Sequence, residues 1–477
     1  MAKKSNWLVF FLVAIAQFMV VLDTSITNVA LPAIKSSLHF SQSSLQWVIT
    51  AYALTFGGFL LLGGRAADLF GRRRTLLAGM GAFTAFSLLI GLSQSETMLI
   101  ALRALQGVSA AFMSPAALSI VLATFKEGKE RNRALGLWTT VATGGAAVGL
   151  LLGGFLTEYI NWRWNFFINV PVGIAVGLAI RKYVPLHEGE SQDKHLDLPG
   201  ATLVTAGLIS AVFAISQAPT WGWLSGKTLG VLAGALALIL GFVFNEARLA
   251  KHPLMPLSIF KIRNVSGANL MMAPLYAGMM GMFFLTSLYL QSVLGYASLK
   301  TGLSFLPFPI ILGIMSTRTP KLVGKYGFKP FLIAGPLVIA LGVALLSRLP
   351  VDGNYLTNVL PTVLIMPIGI GLTFMPLFAA ATTGVPVSQG GLASGLLNTS
   401  QQMGGALGLA ILSGVAASVT KANAHLGRAG ALVQGYDRAF SVAVGFMLVA
   451  AALAALVITQ RKKPSSKKHG VPVPAFD

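Results

Sequence analysis

Long apolar segments, nearly free of charge, follow one another along this chain from residue 7 to residue 460. A helix rises ~1.5 Å per residue, so about twenty residues cross the ~30 Å hydrocarbon core of a bilayer. Inside that core no water can hydrogen-bond the backbone, and segments of this length must satisfy their own N–H and C=O groups as helices. Fourteen spans fit, near 7–32, 45–66, 75–93, 97–124, 135–158, 165–184, 198–217, 228–248, 265–292, 302–320, 330–348, 358–382, 391–419 and 437–460. Charged residues make up only 10% of the chain, against about 25% in soluble proteins. The fold class that follows is an all-α, multi-pass integral membrane protein, and a soluble multidomain reading is excluded.

The net charge of +21 could suggest a nucleic-acid partner, but the basic residues lie in short loops between the apolar spans. Placing the N-terminus in the cytoplasm puts 26 of the 35 lysines and arginines in cytoplasmic segments and 8 in outside loops, leaving Arg103 inside a helix. This bias predicts an even number of spans with both termini cytoplasmic, and no nucleic-acid partner. Lys3 and Lys4 before an apolar run resemble a signal peptide. That run is long, lacks a small-x-small cleavage site and flows into "ALPAIK", so a retained first helix is expected. Without cysteine there are no disulfides or thiolate metal sites, and the six histidines form no H-E-x-x-H pattern. Clustered catalytic acids, histidines or a phosphate-binding loop near one face are also missing. No enzymatic activity, no metal and no cofactor beyond a coupling proton is expected.

The chain echoes itself once. "LFGRRRTLLAG" (69–79) lines up with "KYGFKPFLIAG" (325–335) at an offset of 256 residues, each between the second and third helices of a bundle. That implies two six-helix bundles of parallel topology, an arrangement of many secondary transporters. The spacing leaves two inserted helices near 198–248, with polar seams "HEGESQDKHLD" (187–197) and "AKHPLMPLSIFKIRN" (250–264). The expected division is 1–184 for the first bundle, 185–253 for the linker and inserted helices, 254–462 for the second bundle and 463–477 for a basic tail.

Two charges stand out inside spans. Asp23 is the one acidic residue of fourteen placed well within a span. Loss of water disfavours the ionised form of such a carboxyl, so it can bind and release protons; the alternative is a neutral helix–helix hydrogen bond. Thr27, one turn on, could orient it. Arg103 lies seven residues into the fourth span with Gln106 and Gly107 on its face, either as a partner of a carboxylate or as an arginine reaching toward the headgroups. Asp68 and Arg72 flank Gly71 at i, i+4 in a tight turn, and Gly64 precedes them. Gly145, Gly149, Gly153 and Gly154 have the small-x-x-x-small spacing that lets helices pack closely, whether fixed or sliding. The ninth span, "NLMMAPLYAGMMGMFFLTSLYLQ" (269–291), has the flexible thioethers and rings of a cavity wall for varied apolar guests, or of lipid-facing filler. Candidate wall residues are Met279, Phe283, Tyr289 and Gln291 there, Asn398, Gln401 and Gln402 in the thirteenth span, and Trp47, Tyr52 and Trp138 in the first half. The amides could instead join helices, and Trp47 could be an interfacial anchor.

Taken in order, the motifs resemble the major facilitator superfamily, in particular its fourteen-helix drug:proton antiporters. "LDTSITNVALP" (22–32) resembles the first-helix signature, "GRAADLFGRRR" (64–74) the loop motif, "RALQG" (103–107) the fourth-helix motif and "GAAVGLLLGG" (145–154) the fifth-helix antiporter motif. "WRWNFFINVPVG" (162–173), "YLQSVLGYASLKTGL" (289–303) and "GLASGLLNTSQQMGGALGLA" (391–410) extend the likeness over about residues 7–460. It departs at Leu150, where the family usually has Pro, and at Gly324, where the second half has no counterpart of Asp68.

The resemblance implies a monomeric proton-coupled exporter of amphiphilic or cationic small molecules in the cytoplasmic (inner) membrane, in contact with lipid. It would work by alternating access, with Asp23 and Arg103 in proton coupling and Asp68 in a cytoplasmic latch. On that scheme deprotonated Asp23 helps admit substrate to a midplane cavity, and a proton from outside later neutralises it. The alternatives are a proton symporter for a small metabolite and an exporter of one neutral or lipid-like compound.

Overall fold

A computed structural model describes residues 2–41, 44–125, 129–186, 197–250, 253–254, 256–385 and 390–459. Among them there is no strand, and 88% of the structure is helical. The first half holds α1 (Ala2–Leu38), α2 (Trp47–Phe70), α3 (Arg72–Gly91), α4 (Glu96–Thr124) and α5 (Lys129–Tyr159). A sixth span is built from the short α6 (Trp164–Phe167) and α7 (Asn169–Tyr183). Next come the inserted α8 (Leu198–Trp221) and α9 (Gly226–Phe244), the latter running into a π-helical turn over Asn245–Leu249. The second half holds α10 (Arg263–Ser292), α11 (Ser298–Ser304), α12 (Pro307–Tyr326), α13 (Lys329–Leu345), α14 (Leu360–Thr382), α15 (Gly390–Ala422) and α16 (Gly427–Leu456). Thirteen stretches of the described residues are long and apolar enough to cross a bilayer; α5, with 31 residues and a charged, glycine-rich sequence, is the fourteenth long helix.

Local chemistry sets the ends. Ser95 caps α4 by accepting from the Met98 N–H, with Glu96 in the favourable first turn, and Asp197 and Ser225 cap α8 and α9 in the same way. Gly71 (φ +93°) and Gly327 (φ +81°) make the sharp turns α2–α3 and α12–α13, a backbone conformation that side chains disfavour. The internal echo is thus one turn used twice. Two helices run further than their apolar stretches. The first continues through Pro32 to Leu38, and the last starts at Gly427, ten residues before its expected boundary, because Arg428, Asp437 and Arg438 do not interrupt an alanine-rich helix. Asp437 also earns its place by accepting from the Leu349 N–H (3.0 Å).

The two halves are packed around two cores, of which the larger also takes in Leu31, Ile49 and Phe166 of the first half. One is built around Phe10, Met80, Phe83, Met113 and Ile120, and the larger around Met272, Leu275, Met282, Leu285 and Met447. They form two six-helix bundles, with α8 and α9 paired and α8 lying over the seam between α2 and α15. The face bearing the Gly71 and Gly327 turns is called the basic face below. At the opposite face the halves touch through α1–α10 and α5–α11.

Candidate proton-coupling site

Arg103 and Gln106 lie three residues apart on α4, so both point from one helix face into the first bundle. They meet Asp23 of α1. Arg103 Nη1 donates to Asp23 Oδ2 (2.5 Å) and to Gln106 Oε1 (2.6 Å), and its Nε donates to the Val48 carbonyl of α2 (2.9 Å). Gln106 Nε2 donates to Asp23 Oδ1 (3.0 Å) and to Ser87 Oγ of α3 (2.8 Å). Asn169, the first residue of α7, adds a third donor to the carboxylate, Nδ2 to Oδ1 at 3.3 Å. The guanidinium also stacks 4.4 Å from the Tyr52 ring centroid and 5.8 Å from that of Phe166. Five of the six spans of the first bundle therefore contribute to one network.

Asp23 is 0% exposed and Arg103 1%. Burying either charge alone would cost several kcal/mol; together, with every carboxylate oxygen hydrogen-bonded, they form a neutral unit. Protonation of Asp23 would remove the anion that Arg103 pairs with, while Arg103 would keep Val48, Gln106 and two ring faces. Thr27 takes a different part from the expected one: its hydroxyl donates to the Asp23 backbone carbonyl (2.6 Å), not to the carboxylate. Both Asp23 carboxylate oxygens are occupied by protein groups inside one bundle.

Just beyond Asp23 the same helix reaches the other half. Pro32 has no N–H to offer the Asn28 carbonyl, which instead accepts from Ser287 Oγ of α10 (3.4 Å). Gln291 Nε2 of α10 donates to the Val29 carbonyl (3.2 Å). On α5, Gly145, Gly149 and Gly153 lie against α1: a Cβ at Gly149 would stand 3.0 Å from the Leu22 carbonyl oxygen, and one at Gly153 2.9 Å from the Ile26 Cα. Gly154 faces α11 instead, and Gly302 of α11 comes so close to the Leu150 carbonyl that a Cβ there would lie 2.3 Å from it. Glu158 Oε2 accepts from the Leu299 N–H (2.9 Å). The Asp23 network and the contact between the halves are carried by one rigid helix.

Comparison with known proteins agrees with this architecture. The family profile described as Major Facilitator Superfamily matches residues 13–409. The chain is 40% identical over 461 residues to the cephamycin export protein CmcT of Amycolatopsis lactamdurans, covering 96% of this chain and 94% of that one. It is 37% identical over 471 residues to the puromycin resistance protein pur8 of Streptomyces alboniger, covering 97% and 93%. Among solved structures, the POT family transporter PepTSo matches in fold with a TM-score of 0.71 at 16% identity, covering 95% of this chain and 97% of that one. The chain belongs to the Major Facilitator Superfamily.

As a superfamily member it is an integral multi-pass membrane protein, and the loop motif lies where that fold places it, between α2 and α3. Asp68 is exposed at the end of α2, Arg72 is half-buried, Gly64 packs on Pro115, and Arg73 Nη1 donates to the Val184 carbonyl at the end of α7 (2.8 Å). The expected cavity residues separate into groups. Asn398, Gln401, Phe283 and Trp138 are half-buried; Phe283 meets Phe308 edge-on at 4.8 Å, and Gln402 presses on Gly57 across the seam. Met279 is buried in the second core. Four residues make specific contacts of their own. Trp47 Nε1 donates to Ser216 of α8 (3.3 Å), Tyr52 stacks on Arg103, Tyr289 donates its hydroxyl to the Pro350 carbonyl (2.7 Å), and Gln291 holds α1. Aromatic and amide side chains suit walls, lipid and helix contacts alike, so composition could not separate these. Asn169, Ser87 and Phe166 had not been picked out; a buried Asn165/Asn169 pair one turn apart at the start of a span was the available signal.

Proposed function

We propose that this protein is a proton-coupled exporter of amphiphilic small molecules, with its basic face in the cytoplasm of an inner membrane. The observation that carries the reading is the position of the sealed Asp23–Arg103–Gln106–Asn169 network on the helix that also holds the other half through Asn28 and Val29. A proton reaching Asp23 from the opposite face loosens α1 from α4. The α1–α10 and α5–α11 contacts then shift, and the bundles rock. Asp23 acts through α1 and touches no substrate. The half-buried Phe283, Asn398 and Gln401 offer rings and amides, a surface for amphiphiles of varied shape. Export rather than uptake is supported by relatives whose names record cephamycin export and puromycin resistance. One titrating acid gives one proton per cycle. Exchange for a monovalent cation is then electroneutral, while a neutral substrate leaves one charge crossing, worth ~2.3 kcal/mol per 100 mV.

Proteoliposomes loaded with puromycin or a cephamycin test this. A pH gradient acid on the side opposite the basic face should drive uphill movement toward that side. Asp23→Asn should lose the uphill movement while retaining substrate binding. Accumulation toward the basic face would establish a symporter instead, and full pumping by Asp23→Asn would remove this carboxyl from the mechanism.

A further inference from the structure

The first turn of α3 and the last turn of α7 lie side by side at the basic face, and between them opens a groove of about 600 Å³ on the outer side of the first bundle. Its mouth carries Arg73, Arg74 and Arg181; its walls run inward past Gly81 and Gly177, with Leu178 along one side. From Arg73 to Gly81, and from Arg181 back to Gly173, the helices rise about 12 Å, most of the depth of one leaflet. The two glycines make the trough. A Cβ on Gly81 would meet nothing within 4 Å, and one on Gly177 only the Met80 sulfur at 3.5 Å. Leu178 is 63% exposed, and Ile174 and Leu186 are exposed beside it, so the trough faces the lipid side. Among the described residues neither Arg74 nor Arg181 has an ion-pair partner, no acid lines the groove, and the Arg73 Nε has no acceptor although its Nη1 is tied to Val184.

We infer that this groove binds an anionic phospholipid, with the phosphate held by the three arginines and an acyl chain lying along Gly81 and Gly177. The charge selects the headgroup and the glycine trough selects a chain, which a free phosphate lacks. Neither feature belongs to the Asp23 network, whose α3 member, Ser87, lies six residues beyond Gly81 along the helix.

Native mass spectrometry of the full chain, titrated with dioleoyl-phosphatidylglycerol, dioleoyl-phosphatidylcholine or inorganic phosphate, tests it. The expected result is preferential retention of phosphatidylglycerol. Each arginine is worth about fivefold in affinity, so combining Arg73→Gln, Arg74→Gln and Arg181→Gln should bring phosphatidylglycerol to the level of phosphatidylcholine. Gly177→Leu, which leaves the arginines in place, should fill the trough and lower the retention of phosphatidylglycerol severalfold, because the acyl chain loses its seat. Should the triple variant misfold, Gly177→Leu decides alone. Equal retention of the two lipids by the native chain, a preference that survives the triple change, phosphatidylglycerol retention unchanged by Gly177→Leu, or displacement of the lipid by inorganic phosphate would each overturn the assignment.

Discussion

The two bundles share a turn and differ in what they bury. In the first, a carboxylate, a guanidinium, two amides and a hydroxyl meet at the centre of five spans. In the second, every buried polar residue among the described ones is neutral, mostly Ser and Thr such as Thr362 and Thr373, which donate to the Gly342 and Gly369 carbonyls, set in a core rich in Met, Leu and Phe. A duplicated fold thus holds a buried ion pair in one half and a neutral, methionine-rich core in the other. Methionine and phenylalanine yield to different shapes at small cost, whereas a buried ion pair has few alternative geometries. Under the proposed function, energy input and substrate accommodation would be housed apart, linked where α1 and α5 meet α10 and α11.

The sharpest way to break this comparison is to unbalance the charged half. Arg103→Leu leaves Asp23 buried without its cation and should destabilise the protein by about 3–5 kcal/mol. Thermal unfolding in detergent measures this, and transport should be abolished. Adding Asp23→Asn to that variant should recover most of the lost stability, because no charge is then stranded, yet restore no transport. A double variant as unstable as Arg103→Leu alone would mean that the arginine acts by packing rather than by pairing.

A smaller effect is expected at the junction. Gly302→Ile brings a side chain against the Leu150 backbone, which cannot move aside as a flexible side chain would. Overpacking of this kind costs about 1–3 kcal/mol, around tenfold or more in the population closed at that end. Since the chain contains no cysteine, spin labels at Tyr159→Cys and Lys300→Cys report the α5–α11 separation on a clean background. A longer distance should gain population in the Gly302→Ile variant. An unchanged distribution would show that this contact does not hold the halves together.

How much of this could be read beforehand depended on rarity. Asp23 and Arg103 were legible because a charge inside an apolar span is expensive and therefore uncommon, and the turn glycines because the motif repeats. Asn169 and Ser87 were not. Neutral amides and hydroxyls occur in many membrane helices, and pairing Asn169 with Asp23 across 146 residues requires the fold itself. The same holds for the Val48 carbonyl, which no side-chain pattern can announce. The contacts of Trp47 and Tyr289 were not legible for the opposite reason, since a large amphipathic ring fits a cavity, a seam or a loop contact equally well. Helix count followed directly from apolar length. Helix ends did not, because α1 runs on through Pro32 to Leu38 and α16 starts at Gly427, both beyond their apolar stretches.

The mildest change bears on the comparison most directly. Gly324 occupies in the second half the place of Asp68 in the first, is exposed, and a Cβ there would meet nothing within 4 Å. Gly324→Asp therefore gives the second turn the acid of the first without steric cost. In the last turn of α12 a carboxylate opposes the helix dipole by about 0.3–1 kcal/mol. The gain in helix propensity over glycine and the nearby Lys321, three residues earlier, return a similar amount. Stability should stay within about 0.5 kcal/mol, and transport driven by a pH gradient within about twofold of the native rate. If the charged half alone senses the proton, the symmetrised chain must behave as the native one does. A variant that transports much faster or not at all would show that the missing acid at Gly324 is itself part of how the two halves were made unequal.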